Sequence, residues 1–459
     1  MVKVIFVIIA IFFTLKILSS KEGYEKLGWT IVGLILLHSN IFVTDIPINL
    51  PIHRWLIFSL LLNELYFHRE FIGEFRSFPL KNTIIFLITG SLSIAVFDDR
   101  LSLFYKFYTP FCEITETYIL IFLGYFAIDK ENDIEKLAKP VLITVILIAG
   151  YGIFNWITQQ NPYHELVVNN YIPDGTEYYN LLMGSLEIDG DRFRASSTFS
   201  SSFNYGYVSS LLALFSFSIY NSGSKRLKIL SLIGIIGGLS GTVLCFSRTV
   251  FVATALAFAT LILFSTTLTK KIVVTVVVII TGILVYNNIS SAKETIDNTI
   301  DLFVTGGTKV GGSSVEMRQT QLKGAYHYFL QNPIRGNGYN YIDNELGWGD
   351  QDNKQLDQDM YGFESIIYQL MIEQGIIGLI TKLLLFISLI VFFLKKVKTD
   401  KNLSGLGLAI VILFLSFSIG TGPLGTWPMT MLLLGVIIKS IVIKGRDLSK
   451  KNKPSLARI

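Results

Sequence analysis

The chain has 459 residues, of which 51% are hydrophobic and 16% are charged, and its formal net charge is +5. Soluble domains carry about 25% charged residues, so this composition excludes a soluble globular protein and indicates a polytopic membrane protein. The modest positive charge is explained by basic cytoplasmic loops and gives no reason to expect a nucleic-acid partner.

The apolar segments begin at the N-terminus. The first, VIFVIIAIFFTLKIL at 4–18, is followed by no small-residue cleavage site and is interpreted as a span, not a signal peptide. The hydrophobic pattern predicts thirteen spans, at residues 2–19, 28–44, 53–67, 83–97, 114–128, 140–157, 203–220, 229–246, 249–268, 271–289, 366–394, 404–420 and 429–443. We therefore predict an all-α polytopic membrane protein, a single membrane domain over residues 1–459 with about 12–13 transmembrane helices.

Two long polar segments, 158–202 and 290–363, interrupt this pattern. Short loops rich in Lys and Arg are typically cytoplasmic, and placing all such loops there puts both long segments on the opposite, extracytoplasmic face. The second segment contains a helix-like stretch at 314–331 and a Pro-Gly-Gly corner at 332–338. Connections of this length are usually functional, so we predict a cap with short helices over an active site.

The cysteines and histidines show no metal-site pattern. Cys112 and Cys245 lie in or beside separate apolar segments, which argues against a disulfide framework or a cysteine-based metal site. The five histidines include no ligand-spaced pair, so no zinc is predicted. The chain also has no Gly-x-x-x-x-Gly-Lys-Ser/Thr phosphate loop, and no cofactor is predicted.

Arginines recur at the predicted outer face: Arg192, Arg194, Arg248, Arg318 and Arg335. Arginine stays charged, and its planar fork of donors fits phosphate oxygens. Arg248 stands between two apolar runs, where a charge is costly, so a functional role is favoured over an interfacial snorkel. Arg194 and Arg318 could each be a solvated loop charge, but several arginines in one vestibule would bind a diphosphate.

A carboxylate and three aromatic residues complete the predicted site. Glu364 opens the apolar segment 364–394 and could accept a proton from a substrate hydroxyl. The alternative is an acid stabilised by the dipole at a helix N-terminus. Tyr339, Tyr341 and Trp348 predict a saccharide or lipid-headgroup surface, and the alternative is an aromatic belt at the membrane interface.

Four segments occur in a characteristic order: RFRASSTFSSSFNYGY at 192–207, CFSRTVFV at 245–252, MRQTQLKGAYHYFLQNPIRGNGYNYI at 317–342 and ESIIYQLMIEQGIIGLI at 364–380. This order resembles the O-antigen ligase and Wzy-type polymerase superfamily, whose members are multi-span bacterial enzymes acting on undecaprenyl-diphosphate-linked glycans. The resemblance implies a large extracytoplasmic loop in the C-terminal third. It also implies metal-independent glycosyl transfer with arginines that bind the diphosphate.

The resemblance assigns roles to individual residues. Arg194, or Arg192 in the other register, matches the arginine before a span, Arg248 matches a Ser-Arg motif, and Arg318 matches the arginine opening a loop helix. The remaining matches are Asn332, Pro333, Gly336 and Gly338 in the corner and Gly375 and Gly378 in the last motif. Ligases of this superfamily place a histidine eleven residues before the glycine that aligns with Gly375, and this chain has Glu364 there.

The departure at Glu364 favours a polymerase that joins undecaprenyl-diphosphate-linked oligosaccharides on the outer face of a bacterial cytoplasmic membrane. Its product would be O-antigen, capsule or exopolysaccharide, with Glu364, Arg248 and Arg318 as catalytic residues. The first alternative is a ligase that moves finished glycan to a lipid core or a protein. The second is a flippase, which is disfavoured because the charges cluster on one face and no internal repeat is evident. The resemblance implies membrane lipid, a chain-length regulator and a separate flippase as partners.

Overall fold

The computed structural model describes residues 2–44, 50–68, 70–174, 193–265, 315–346, 365–422 and 425–451, and the isolated positions 176, 179, 182–183, 287, 293, 296–297 and 301. In these residues the N-terminal helices are α1 (Val2–Ser19), α2 (Gly23–Leu36), α3 (Ile52–Phe67), α4 (Phe71–Ser77), α5 (Lys81–Val96), α6 (Leu103–Glu113), α7 (Ile119–Phe126), α8 (Asp133–Thr158) and α9 (Pro162–Tyr171). The later helices are α10 (Ser202–Ser222), α11 (Lys225–Leu244), α12 (Arg248–Ser265), α13 (Val315–Gln331), α14 (Tyr341–Glu345), α15 (Ile366–Lys396), α16 (Lys401–Thr421) and α17 (Trp427–Lys451).

Helices coincide with twelve of the thirteen predicted spans, and the other, 271–289, lies outside the described residues except at position 287. In the described part of the chain, six helices are long and apolar enough to cross a bilayer: α1, α8, α11, α15, α16 and α17. The bent pair α4–α5 is a seventh candidate. The prediction of an all-α polytopic membrane protein is confirmed, and the larger number of spans stays a prediction.

Two predicted boundaries differ from the structure. The span predicted at 28–44 ends at Leu36, because the chain turns at His38 and enters a short antiparallel ribbon of β1 (Phe42–Thr44) and β2 (Leu50–Pro51). The span predicted at 114–128 is preceded by α6, which joins α7 through a π-helical turn at Ile114–Tyr118. Hydropathy missed this extension because α6 carries polar residues among its aromatic ones.

The outer surface of the bundle is strongly apolar. On α1, Val4, Ile8 and Leu15 are 60%, 59% and 59% exposed, although all three are large hydrophobic residues. On α11, Ile229 is 72% exposed. A row of such side chains facing water would be unfavourable, whereas lipid tails cover it at no cost. The exposed faces of these helices therefore fit a bilayer environment.

Glycines allow the inner helices to approach one another closely. A Cβ atom on Gly124 of α7 would lie 2.1 Å from the Leu432 carbonyl oxygen of α17, and one on Gly435 would lie 2.0 Å from the Ile121 carbonyl oxygen. No side chain fits at these distances, so α7 and α17 touch backbone to backbone. Small residues serve this purpose in membranes, where lipid gives helices no hydrophobic reason to associate.

Helices α8 and α11 run parallel. A Cβ atom on Gly234 of α11 would lie 3.0 Å from Leu142 of α8, and one on Gly237, further along α11, would lie 3.1 Å from Ala149, further along α8. The beginnings of α8 and α11 therefore lie at the same end of the bundle. Their carboxyl ends share the opposite end.

These two ends differ in chemistry. One, which we call the lysine end, carries Lys225, Arg226 and Lys228 in the first turn of α11. The other, which we call the arginine end, carries Arg248 at the start of α12. Asn402 at the start of α16 donates a 2.9 Å hydrogen bond to the Ser218 carbonyl oxygen near the end of α10, so α16 starts at the lysine end and finishes at the arginine end.

Candidate active site

Arg248 begins α12, directly after the turn that follows α11. Phe246 in this turn has a φ of 45°, in the left-handed region, so the chain reverses sharply there. The Ser247 carbonyl oxygen accepts a 3.0 Å hydrogen bond from the Phe251 amide and so starts the helix. A cation at a helix N-terminus opposes the helix dipole, so helix stability alone does not explain an arginine at this position.

Arg194 lies beside this turn. The Ala195 amide donates a 3.0 Å hydrogen bond to the Leu244 carbonyl oxygen, so the segment before α10 runs along the end of α11. The charge of Arg194 is close enough to act on the Cys245 thiol. Its guanidinium carbon is 5.8 Å from the centre of the Phe203 ring. Arg194 therefore belongs to the arginine end.

Arg318 reaches the same end from α13, the helix predicted at 314–331. Its Nη2 atom donates a 2.8 Å hydrogen bond to the Gly420 carbonyl oxygen near the end of α16. Gly420 packs against Thr249, because a Cβ atom on this glycine would lie 2.4 Å from the Thr249 methyl carbon. Arg318 and Thr249, the residue after Arg248, therefore contact the same glycine.

The three arginines come from separate parts of the sequence and meet at one end of the bundle. Arg194 precedes α10, Arg248 starts α12 and Arg318 lies on α13. Guanidinium groups remain protonated and donate charge-assisted hydrogen bonds to phosphate or carboxylate oxygens. The arrangement can therefore hold an anion and stabilise negative charge that develops on it.

Three predicted site residues, Arg192, Trp348 and Glu364, lie outside the described residues. The residue after Glu364, Ser365, is buried, and its hydroxyl oxygen caps α15 by accepting a 3.2 Å hydrogen bond from the Ile367 amide. The Tyr368 hydroxyl in the first turn of α15 donates a 3.2 Å hydrogen bond to the Arg318 carbonyl oxygen. The beginning of α15 therefore adjoins Arg318.

The corner at 332–338 and the glycine in the middle of α15 form one joint. Gly375 interrupts α15 with φ 56° and ψ −152°. The Ile376 amide, which loses its helical partner there, donates a 2.9 Å hydrogen bond to the Pro333 carbonyl oxygen. A Cβ atom on Gly336 would lie 2.3 Å from the Glu373 backbone. These glycines are therefore required for the backbones to touch, whatever the substrate.

The remaining predicted substrate contacts lie around this corner. The structure places Tyr339 in the interior, where its hydroxyl donates a 2.6 Å hydrogen bond to Glu113. This burial argues against the predicted saccharide contact, because the hydroxyl already has a protein partner. Arg335 is exposed and lies over the Phe97 ring at 4.7 Å, and Tyr341 lies under the guanidinium of Arg100 at 5.1 Å. Arg335 and Tyr341 contact the segment after α5, apart from the elements that carry the other arginines.

A largely buried ion pair, which the sequence did not predict, joins Glu113 of α6 to Lys382 of α15. Glu113 Oε1 accepts hydrogen bonds from Lys382 Nζ at 2.7 Å, Gln374 Nε2 at 3.1 Å and the Tyr118 hydroxyl at 2.8 Å. Its Oε2 accepts from Tyr339 and, at 2.7 Å, from Ser91. The available signal was Lys382 itself, an isolated cation inside a long apolar segment.

Two histidines link α2 to the loop after α8. His38 Nε2 lies 3.0 Å from His164 Nδ1, and His164 Nε2 lies 3.1 Å from the Leu182 carbonyl oxygen. The Asn40 backbone amide can only donate, so His38 Nδ1, 3.2 Å away, accepts its hydrogen bond. His38 Nε2 must then donate to His164 Nδ1, and His164 Nε2 must donate to the Leu182 carbonyl oxygen. Both rings are therefore neutral. Burial lowers the pKa of His164 below its ordinary value of 6.5.

In the part of the chain that the structure describes, no group of three or more His, Cys, Asp or Glu side chains could hold a metal ion. The metal independence implied by the resemblance stays a prediction.

Residues 233–383 match the family model described as O-antigen ligase. This segment is similar to the O-antigen ligase superfamily. It includes Arg248, Arg318, the corner and Gly375, and it ends one residue after Lys382. No curated protein matches the chain. The matched family comprises enzymes of O-antigen-type polysaccharide synthesis, and the match points, at a coarse level, to a lipid-linked oligosaccharide substrate.

Proposed function

We propose that this protein is a polysaccharide polymerase of the O-antigen ligase superfamily. It joins undecaprenyl-diphosphate-linked oligosaccharide repeats on the outer face of a bacterial cytoplasmic membrane. The growing chain on its lipid diphosphate is the donor, and a second lipid-linked repeat is the acceptor. A chain-length regulator and a flippase of the same pathway are its proposed partners.

The observation that carries this proposal is the meeting of Arg194, Arg248 and Arg318 at one end of the bundle. A diphosphate leaving group develops negative charge as its bond to the sugar breaks. Fixed donors aimed at such charge stabilise the transition state more than the ground state, and removing one donor typically costs about 10²–10³ in rate. The arginine end is opposite the lysine end, which supports an extracytoplasmic site under the positive-inside rule.

Glu364 is the proposed general base. It lies two residues before the start of α15, whose first turn contacts Arg318 through Tyr368. In the proposed step the acceptor hydroxyl oxygen bonds to the anomeric carbon while the bond from that carbon to the diphosphate oxygen breaks. The hydroxyl proton goes to the Glu364 carboxylate, and the three arginines hold the departing diphosphate. The segment 290–363 orients the two substrates, since fixed geometry supplies much of the acceleration.

A ligase is the second candidate, because the matching family model carries that description. The chemistry at the diphosphate would be the same, and only the acceptor would differ. Glu364 in the slot where the ligases of the superfamily have a histidine favours the polymerase.

The test is a gel ladder of surface polysaccharide from a deletion strain complemented with variants. For a polymerase, the deletion leaves single repeats on the core, and wild type restores the ladder. For a ligase, the deletion strands finished glycan on the carrier lipid.

The same strain tests the proposed residues. Arg248→Ala, Arg318→Ala and Glu364→Gln should each abolish or strongly shorten the ladder. Arg226→Ala, an exposed arginine at the lysine end, should leave it unchanged. A normal ladder from all three site variants, each present in membranes at the wild-type amount, would refute the proposed site.

A further inference from the structure

A cleft of about 570 Å³ lies between α1, α2 and α8, away from the arginine end. Its size falls within the range of about 300–1,000 Å³ that small-molecule sites occupy. Its apolar wall includes Trp29, Val32 and Leu36 of α2 and Ile143 and Leu147 of α8. Ile143 is 43% exposed and Leu147 is 55% exposed, so this wall faces the surroundings of the bundle. Because α1 and α8 are candidate membrane spans, those surroundings are lipid tails.

One end of the cleft is polar and basic. It is lined by Lys16, Ser19 and Ser20 at the end of α1 and by Lys136 in the second turn of α8. Both lysine side chains are exposed. The Lys16 ammonium lies 5.7 Å from the centre of the Trp29 ring, so the charge borders the apolar wall. An amphipathic ligand would thus meet cations at its head and hydrocarbon along its tail.

Acids near the polar end modify this charge, and Glu22 is close enough to act on Lys136. Asp133 accepts a 3.2 Å hydrogen bond from Lys136, but its carboxylate is buried and also accepts hydrogen bonds from the Asp129 and Lys130 amides. Glu25 lines the cleft, and its Oε1 lies 3.4 Å from the Tyr24 hydroxyl. The cleft itself therefore presents two ammonium groups and one carboxylate. This set suits a headgroup that carries both a phosphate and hydroxyl donors.

The polar end of the cleft lies at the lysine end of the molecule. Lys136 is near the start of α8, which runs parallel to α11, so Lys136 is on the same side as the basic first turn of α11, residues 225–228. At the opposite end of α1, the Lys3 ammonium lies 5.1 Å from the ring of Tyr171, which ends α9 in the loop after α8. The cleft is therefore separate from the arginine end. Its polar end opens to the cytoplasmic leaflet, where the positive-inside rule puts basic loops and where anionic lipids attract lysines.

We propose that this cleft is a binding site for one anionic glycerophospholipid of that leaflet, with phosphatidylglycerol as the best fit. The phosphate lies between the Lys16 and Lys136 ammonium groups. The glycerol hydroxyls of the headgroup donate to Glu25, and one acyl chain lies along Trp29 and Leu147. The site is independent of the glycan chemistry proposed for the arginine end.

The test uses the purified full chain in detergent and counts bound lipids by native mass spectrometry. The added probe is dioleoyl phosphatidylglycerol, with dioleoyl phosphatidylcholine as the neutral comparison. Each lysine near an anionic lipid headgroup contributes about 1 kcal/mol, so K16Q/K136Q should bind the first phosphatidylglycerol about tenfold to thirtyfold more weakly. K16R/K136R, which keeps both charges, should bind like wild type.

The matched control is K225Q/K228Q, which removes two exposed lysines at the same end of the molecule but outside the cleft. It should bind like wild type. Equal weakening in both glutamine pairs, or equal affinity of wild type for the two lipids, would overturn the proposal. Displacement of the lipid by glycerol phosphate at the same concentration would also overturn it, since the apolar wall would then contribute nothing.

A second measurement does not depend on the variants folding. Wild-type protein is irradiated with phosphatidylglycerol that carries a diazirine in one acyl chain. Labels are expected on peptides covering residues 29–36 and 143–147. Labelling spread evenly over the exposed faces of the other helices, with none concentrated at these positions, would contradict the assigned site.

Discussion

At the scale of single residues, Arg318 has two tasks that chemistry can separate. Its guanidinium holds the Gly420 carbonyl oxygen at 2.8 Å, and in the proposed mechanism it also donates to the diphosphate. Lysine would keep the charge but lose the planar fork. A lysine variant therefore distinguishes a role for charge from a role for geometry.

We expect Arg318→Ala to lower the rate of chain elongation in membrane vesicles by about 10²–10³. The elongation rate of Arg318→Lys should be intermediate between the rates of the alanine variant and of wild type, because lysine keeps the charge but lacks the planar fork of donors. Arg226→Ala serves as the control and should elongate at the wild-type rate. Elongation by Arg318→Ala at the wild-type rate would remove this arginine from the proposed mechanism.

Gly375 is the second residue whose replacement has a clear consequence. Its φ of 56° and ψ of −152° suit glycine alone, and a Cβ atom there would lie 2.5 Å from the Gly336 amide nitrogen. We expect Gly375→Ala to reduce the free energy of unfolding by roughly 2–3 kcal/mol, measured by chemical denaturation in micelles. Gly150→Ala in α8, where a Cβ atom meets nothing within 4 Å, is the control and should not destabilise. If both variants were equally stable, the contact between Gly375 and the corner at 332–338 would have to shift and accommodate the added Cβ atom.

At the scale of elements, α15 connects the arginine end of the molecule to α6 in the interior. It begins beside Arg318, breaks at Gly375 against the corner, and then sends Lys382 to Glu113. Tyr339 of the corner binds the same carboxylate, so α6, α15 and the corner meet at one largely buried acid. The position of the corner relative to α15 thus depends on a charge pair inside the bundle.

Replacing Glu113 tests this dependence. Glu113→Gln leaves the buried Lys382 ammonium without its counter-charge and should cost about 3–5 kcal/mol of unfolding free energy in micelles. The double variant Glu113→Gln/Lys382→Met should lose less than the sum of the two single variants. Asp99→Asn, which breaks a pair with Lys106 at a fully exposed carboxylate, should cause no measurable change. Strict additivity of the Glu113 and Lys382 variants would mean that the pair contributes nothing as a pair.

At the scale of the whole molecule, the neutral pair His38–His164 makes stability depend on pH. The folded pKa of His164 is lowered, so the unfolded chain binds its proton first as the pH falls. The stabilisation is complete above the ordinary value of 6.5 and is lost as the pH drops from there towards the folded pKa. We expect the melting temperature in detergent to fall in this window.

His164→Gln should reduce this pH dependence without abolishing it, because the glutamine amide cannot titrate but burial also lowers the pKa of His38. The exposed His327→Gln should retain the wild-type profile. If His164→Gln followed the same pH profile as wild type, another group would have to carry the effect.

The orientation of the molecule can be tested on its two ends. Both native thiols, Cys112 and Cys245, are buried, so an introduced exposed cysteine should dominate labelling. In intact cells a membrane-impermeant maleimide should label Asn332→Cys at the corner. It should label Ser224→Cys, beside the basic first turn of α11, only after permeabilisation, because the positive-inside rule puts that turn in the cytoplasm. The opposite labelling pattern would invert the proposed topology.

Much of the fold could be predicted because bilayer-spanning helices leave a local signal. Each needs about 20 apolar residues in succession, whatever its neighbours are. The helix at Val315–Gln331 could be predicted for the same reason, since its apolar residues recur at helical spacing within a short stretch of sequence. The boundary at Leu36 was missed because hydropathy does not detect the turn at His38.

The sequence by itself determined that the chain is helical and membrane-spanning, that basic residues divide its loops, and that arginines recur in family-like motifs. Only the tertiary structure decided which of those residues meet. Lys382 and Glu113 lie 269 positions apart and His38 and His164 lie 126 apart, so no local pattern pairs them. The sequence predicted Tyr339 as a substrate contact, which stays a prediction, and gave no sign of its buried hydrogen bond to Glu113. Burial and pairing depend on how distant helices pack, and that information is spread over the whole chain.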